Sequence, residues 1–384
     1  MRAQQVLDAG TSIWLDDLSR AKISGADSHS LPSRIATSGV VGVTTNPSIF
    51  SAAISGAAEY SADIAHMKGA SVDDVVKKLT TDDVRQACDL FTQIYTGSKG
   101  VDGRVSIEVD PRLAHDTAGT IAAGKELWAI IDRPNVMIKV PATIEGLPAI
   151  TELVAAGISV NVTLIFSVKR YGQVIDAYMQ GIERCENPSS VHSVASFFIS
   201  RIDSSVDALL KKDGSAEANA LLGKAAIANA HLAYQLFEEK FAGQRWEALS
   251  QKGANKQRPL WASTGVKDPA YPDTQYVVEL IAPETVNTMP QSTLDALIDH
   301  GVVRGNTITS NYSAAVDVLK ALTSVGISLA TSRQLSAMVG RINRERKDAE
   351  MVPLRMFDIV TEACEAWMKE NHWMIENGVN DSKI

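Results

Sequence analysis

Apolar residues recur along this 384-residue chain with two periods that take turns. Alternating or continuous β-branched runs read as strands at Ser12–Asp16, Val40–Asn46, Arg104–Val109, from Val136 to Pro141, Ser159–Phe166, Val191–Ile199 and Pro259–Thr264. An eighth falls within Leu280–Met289, with Val286–Met289 as its core. Between them a period near 3.6 predicts helices over Met1–Gly10, Leu31–Ser38, Asp116–Ile131, Leu147–Ala155 and Lys169–Arg184. Segments Ala52–Met67, Val72–Leu79 and Thr81–Tyr95 make the stretch after the second strand largely helical, with Thr81 as an expected N-cap ahead of two aspartates. After the sixth strand, Ile227, Ala230, Tyr234, Phe237 and Phe241 mark another helical face. No Pro/Gly/Ser-rich linker divides the chain, and no repeat of solenoid length is evident. The alternation predicts an α/β chain: a single (β/α)8 TIM barrel over residues 1–384, with extra helices in the connections after strands 2 and 6. Residues 328–384, basic from Ser332 to Arg346 and Trp/Met-rich from Trp367 to Met374, read as an atypical helical tail.

Chemistry in such a barrel sits at the carboxyl ends of the strands, whose side chains alternate between faces. One lysine stands inside the fourth strand, Val136-Met137-Ile138-Lys139-Val140-Pro141. If both faces of the sheet are covered, Lys139 is buried or faces a pocket. An ammonium without a counter-ion is costly there, and losing the proton relieves the cost. The resulting amine is a nucleophile able to form a Schiff base with a carbonyl. The competing reading is a lysine that snorkels to solvent or pairs with Glu145.

Counting faces from Lys139 places Asp16 with Trp14, Asn46 with Gly42 and Thr44, and Glu108 with Ser106. It places Asn161 and Thr163 with Ser159, Ser196 and Phe198 with Val194, and Ser263 with Trp261. The opposite faces carry Ile13/Leu15, Val41/Val43, Val105/Ile107 and Val160/Val162/Leu164, as helix-covered strands should. Asp16 and Glu108, the acids of the inward set, suit proton transfers at carbinolamine, imine and enamine stages; the alternative for either is a structural ion pair with Lys139. Asn46 and Asn161 suit the hydroxyls of a small polyol, although Asn46 before Pro47 also fits a cap or Asx-turn. Thr163 could hold a water or satisfy its own hydroxyl in the core. Ser196, Arg201, Ser263 and Lys267 cluster after the sixth and seventh strands, where barrels often bind phosphate. Arg201 could instead pair with Asp203, and Lys267 could be solvated beside Asp268.

Composition narrows the partners. Hydrophobic content of 45% with 21% charged residues is an ordinary core-forming mix. A net charge of −8 with the signs interspersed argues against nucleic acid and membrane surfaces, and leaves room for a local phosphate pocket. Cys88, Cys185 and Cys364 are far apart and fit a reducing cytoplasm, the expected location. Seven scattered histidines show no metal-ligand spacing, so no metal is expected. No signal-like leader or transmembrane-length apolar run is present. The expected assembly is a monomer or homodimer.

The stretches Gly42-Val43-Thr44-Thr45-Asn46-Pro47-Ser48-Ile49-Phe50 and Ile138-Lys139-Val140-Pro141-Ala142-Thr143 through Gly146 resemble the two signature motifs of the transaldolase family. Supporting stretches run Trp14–Arg20, Ser106–Pro111, Asn161–Ser167 and Trp261–Gly265, and the likeness is to the longer bacterial branch. The resemblance implies a (β/α)8 fold and cofactor-free transfer of a dihydroxyacetone unit in the pentose phosphate pathway. Donors would be sedoheptulose 7-phosphate or fructose 6-phosphate, and acceptors glyceraldehyde 3-phosphate or erythrose 4-phosphate. Carried over by position, Lys139 is the Schiff-base lysine, Asp16 the acid/base at carbon–carbon cleavage, and Glu108 acts through a water held with Thr163. Asn46 and Asn161 would hold the dihydroxyacetone moiety; Ser196, Arg201 and Ser263 would hold phosphate, with Phe198 beside them. Other branches carry an arginine where Lys267 falls. A fructose 6-phosphate aldolase using the same lysine, a deoxyribose-phosphate type aldolase and a catalytically idle sugar-phosphate-binding barrel are the alternatives.

Overall fold

A computed structural model describes residues 2–329, except 26, 56 and 328. Apart from Leu329, the expected tail over 328–384 lies outside the described residues. Eight strands run β1 Thr11–Leu15, β2 Val40–Val43, β3 Arg104–Glu108, β4 Val136–Pro141, β5 Val160–Ile165, β6 Ser193–Phe198, β7 Gln257–Ala262 and β8 Thr285–Met289. They close into one barrel in sequence order, every strand parallel to its neighbours and β8 pairing with β1. This is the (β/α)8 architecture, and the extra helices fall where expected. The connection after β2 carries Pro47–Ile54, Ser61–His66, Val72–Leu90 and Thr92–Gly97; the one after β6 carries Ser200–Asp213, Ala216–Asn219, Ala225–Phe241 and Gln244–Ser250.

The expected break at Thr81 does not occur. Val72–Leu90 is one 19-residue helix capped by Ser71, whose hydroxyl accepts from Asp74 N. The Thr81 hydroxyl donates back to the Lys77 carbonyl at 2.7 Å, which lets a threonine sit mid-helix with its polar group satisfied.

Parallel strands flanked by helices must be apolar on both faces, and each face here has its own core. Ile13, Leu15, Val105, Ile107, Ile138 and Val140 join the large shell between sheet and helices. Trp14, Met137, Val194, Leu260 and Val286 fill the barrel interior. Face counting fails at three strands, each time because the chain is not regularly extended there. In β2 the register with β1 slips between Ile13 and Trp14, so Val40 rather than Val41 shares the outer shell with Val43, and Val41 packs on the interior cluster. In β5 the register with β6 slips between Val162 and Ile165. Leu164 turns left-handed (φ 61°) and is 37% exposed, while Ile165 takes the outer position. In β7 the expected inward Trp261 is in fact outward, edge-on to Phe197 with ring centroids 6.3 Å apart, and Leu260 and Ala262 turn inward. That strand ends at Ala262, and Ser263 is left-handed (φ 58°), so counting back from Ser263 inverts the faces.

Gly42 faces the Trp14 indole so closely that a Cβ there would lie 2.6 Å from the ring. Gly42→Ala is therefore expected to destabilise the barrel by about 1–3 kcal/mol, read as a lower urea midpoint at unchanged m-value.

Candidate active site

Lys139 projects from the carboxyl end of β4, directly across the register from Glu108 on β3 and Asn161 on β5. Its side chain is only 7% exposed, which settles the snorkelling alternative. The amine Nζ donates to Glu108 Oε2 at 3.1 Å and to the Thr45 carbonyl at 2.9 Å. Glu145, the alternative partner, instead sits against His115 at 3.2 Å. The counter-ion problem posed by a buried lysine is thus met by Glu108, itself mostly buried, and by a backbone oxygen that no count of side-chain faces could reveal.

Asp16 follows β1, its backbone N–H donating to Met289 O and its carboxylate Oδ1 accepting from the Thr44 hydroxyl at 2.6 Å. Thr44 in turn meets the Thr288 hydroxyl of β8 at 2.6 Å. Thr44 has one proton to give, so when it donates to Asp16 the Thr288 hydroxyl donates to it. Burial raises the Asp16 carboxyl above the usual aspartate range; the nearby Lys139 charge and the Thr44 hydrogen bond pull it back only in part, and Arg201 adds a weaker pull. Lys139 and Arg201 are therefore both within electrostatic reach of this carboxylate. Asp17 is committed elsewhere, to Lys22 at 2.7 Å.

Asn161, fully buried, donates through Nδ2 to Ser106 Oγ at 3.0 Å and accepts at Oδ1 from Ser196 Oγ at 2.7 Å. These two serines fix which way the amide points. Thr163, one strand position pair further on, is buried with its hydroxyl lacking any hydrogen-bond partner among the described residues. Asn46 caps the helix Pro47–Ile54, accepting at Oδ1 from Ile49 N at 3.0 Å, as the Asx alternative had it. The capping bond uses only the amide oxygen, and its NH2 end remains a donor beside Thr45.

On the β6–β7 side the Arg201 guanidinium lies over the Phe198 ring, 5.0 Å from its centroid, and Phe198 packs against Phe166 at 5.1 Å. Ser263 Oγ and Ser200 Oγ are 3.0 Å apart, which ties the end of β7 to the start of the helix bearing Arg201. Asp203, the suggested partner of Arg201, has its carboxylate occupied by Tyr276 OH (2.7 Å) and Ala226 N (2.8 Å); burial pushes it up to about 6. Lys267 is exposed and lines a cavity of about 420 Å³ with Asp207, Lys211 and Tyr271, outside the hydrogen-bonded group around Lys139.

The structure thus brings Lys139, Glu108, Asp16, Asn161, Ser196 and Thr163 to one end of the barrel, with Arg201, Phe198 and Ser263 adjoining. Thr288 was missed, although counting along β8 from the interior Val286 would have found it. Among the described residues no three His, Cys, Asp or Glu side chains are grouped to hold a metal, and no described helix is long and apolar enough to cross a membrane.

The family model for transaldolase/fructose-6-phosphate aldolase matches residues 13–340. Transaldolase 1 of Streptomyces avermitilis is 57% identical over 331 residues, covering 85% of this chain and 87% of that protein. The transaldolases of an Arthrobacter species (56%; 85% of this chain, 88% of that protein) and of Mycolicibacterium smegmatis (55%; 84% and 87%) are similarly close. With a match this long and relatives this similar, the chain belongs to the transaldolase/fructose-6-phosphate aldolase family.

Proposed function

We propose that the protein is a transaldolase that moves a dihydroxyacetone unit from sedoheptulose 7-phosphate or fructose 6-phosphate to glyceraldehyde 3-phosphate or erythrose 4-phosphate. The observation that carries the residue roles is the buried Lys139 amine between Glu108 and the Asp16–Thr44 pair. Lys139 Nζ, once deprotonated, attacks the ketose carbonyl carbon and forms a carbinolamine. Loss of water then leaves an iminium. Glu108 accepts the lysine proton across their existing hydrogen bond, and a water held between it and the unpaired Thr163 hydroxyl relays protons to and from the carbinolamine oxygen.

Asp16 takes the proton from the C4 hydroxyl as the C3–C4 bond breaks. The bonding electrons pass to the iminium, the aldose phosphate departs, and the three-carbon unit stays on Lys139 as an enamine. Attack of its carbon on the acceptor aldehyde, with Asp16 returning the proton to the new hydroxyl, runs the same steps backwards, and hydrolysis frees the amine. Asn161, oriented by Ser106 and Ser196, and the NH2 of Asn46, whose amide oxygen is taken by the helix cap, bind hydroxyls of the retained unit. Arg201, with Ser263 beside it, takes the phosphate. Ser196 is engaged with Asn161, which suits it to orient that amide more than to reach a phosphate.

A coupled assay with fructose 6-phosphate and erythrose 4-phosphate tests the reading. Glyceraldehyde 3-phosphate should accumulate beyond one equivalent per enzyme only with the acceptor present, and borohydride should trap the donor's three carbons on Lys139. Steady release of free dihydroxyacetone without acceptor would replace the transferase by an aldolase. Arg201→Ala should raise KM for both phosphorylated substrates by about tenfold or more, with a smaller effect on kcat.

A further inference from the structure

The helix that carries Arg201 also carries two buried carboxylates that take no part in the proposed chemistry. Asp203 and Asp207, one turn apart on Ser200–Asp213, are 1% and 5% exposed. Burying a charge is costly unless its oxygens are well hydrogen-bonded. Here each carboxylate is answered by neutral donors, one phenol and one backbone N–H. Tyr276 OH (2.7 Å) and Ala226 N (2.8 Å) donate to Asp203; Tyr271 OH (2.7 Å) and Gly223 N (3.0 Å) donate to Asp207. Both phenols come from the connection between β7 and β8. Further along the helix Lys211 meets Asp268 of the same connection at 2.7 Å, but that pair is largely exposed and holds little.

Tyr276 is itself anchored. Its carbonyl accepts from Asn287 Nδ2 at 3.0 Å, and Asn287 is fully buried on β8. On the other side of Arg201, Ser200 meets Ser263 twice, hydroxyl to hydroxyl at 3.0 Å and from its N–H to the Ser263 carbonyl at 3.0 Å. The first turn of the helix is therefore held at two points: to the end of β7 one residue before Arg201, and to β8 two residues after it. A helix turns about 100° per residue, so Arg201 leaves the axis roughly opposite Asp203. Rotation about that axis would carry the guanidinium off the Phe198 ring, and the Asp203–Tyr276 bond is placed to resist it.

We infer that Asp203 and Tyr276 are positioning residues for phosphate recognition, locking the helix in the rotation that presents Arg201 beside Ser263. Neither touches substrate; both act through Arg201, and the inference rests on the phosphate role proposed for that residue. It also gives the buried charge a reason. Hydrogen bonds to a carboxylate are shorter and stronger than those to a neutral oxygen, so they fix the helix more tightly, and a carboxylate in the first turn is favoured by the helix dipole.

The test measures inorganic phosphate as a competitive inhibitor, with the KM for fructose 6-phosphate, at pH 8, where Asp203 is ionised. Tyr276→Phe keeps the ring and loses the bond. It should raise both the phosphate inhibition constant and the KM by about three- to tenfold, with kcat within about twofold. Borohydride trapping of dihydroxyacetone on Lys139 should be unchanged, because that probe carries no phosphate. Asp203→Ala should have a larger effect and Asp203→Asn, which keeps an acceptor for Ala226 N, a smaller one; Lys211→Ala should have none. If Asp203→Ala does not fold, Tyr276→Phe decides. In an Arg201→Ala background Tyr276→Phe should add nothing, since its effect passes through the missing guanidinium. An equal rise in both backgrounds, a fall in kcat at unchanged KM, or no effect of Tyr276→Phe where Arg201→Ala weakens phosphate would overturn this inference alone. If Arg201→Ala leaves phosphate inhibition as it is, the phosphate role of Arg201 falls and this inference with it.

Discussion

Lys139→Met is expected to bring turnover below detection and to abolish the borohydride-trapped adduct. Among the described residues Lys139 is the one lysine within the eight strands; the reacting carbonyl must meet a nucleophile at the carboxyl end of β4, and methionine keeps the volume of the side chain but offers no nitrogen. The same substitution has a structural consequence that a simple loss of activity would hide. It removes the ammonium from a pair in which both side chains are mostly buried and leaves the Glu108 carboxylate without its partner. Removing one member of a buried pair is costly, up to about 3–5 kcal/mol for a fully buried one, and somewhat less here because Glu108 keeps some solvent contact. The double variant Lys139→Met/Glu108→Gln should recover much of that loss while remaining inactive. Measured by urea unfolding beside the trapping experiment, this separates the amine's chemical role from its role as a counter-ion. An adduct mapped to another lysine, or turnover surviving in Lys139→Met, would end the proposed mechanism.

Asp16→Asn should lower kcat by about 10²–10⁴-fold, the usual worth of a positioned acid/base, while the trapped adduct on Lys139 still forms from donor ketose. The split is the point: Schiff-base formation needs the amine, and carbon–carbon cleavage needs the carboxylate. The pH dependence carries a second check. Asp16 must be ionised to take the hydroxyl proton, and burial raises its carboxyl above the ordinary value of 3.8. The rate should therefore climb with pH through a limb that lies above the range of an exposed aspartate. Thr44 stabilises the carboxylate by donating to it, so Thr44→Val should move that limb to still higher pH. A limb that stays in place in Thr44→Val would mean that another group controls it.

Much of the candidate site was legible in the sequence. Lys139, Glu108 and Asn161 lie on adjacent regular strands in direct register, so a period of two carried each side chain to the correct face. Asp16 follows β1, whose faces were also counted correctly. The count failed where the backbone departs from extension: the register slip in β2, the left-handed Leu164 in β5 and the left-handed Ser263 after β7. A single extra or twisted residue reverses every assignment beyond it. The long helix through Thr81 failed for a related reason. A hydroxyl that can cap a helix can equally bond to the carbonyl four residues back, and only the surrounding packing chooses.

The amino-acid order by itself determined the alternation of buried strands and helices, and with it a closed parallel barrel carrying one lysine and two acids at the same end. That much follows from periodicity, because apolar faces must be covered and side chains on a strand can point only two ways. Tertiary structure alone decided what each polar atom meets: Glu108 and the Thr45 carbonyl at the amine, the Thr288 and Thr44 hydroxyls leading to the Asp16 carboxylate, and Asn46 as a helix cap. Those contacts join strands far apart in sequence, and hydrogen bonds depend on tenths of an ångström that no one-dimensional pattern encodes.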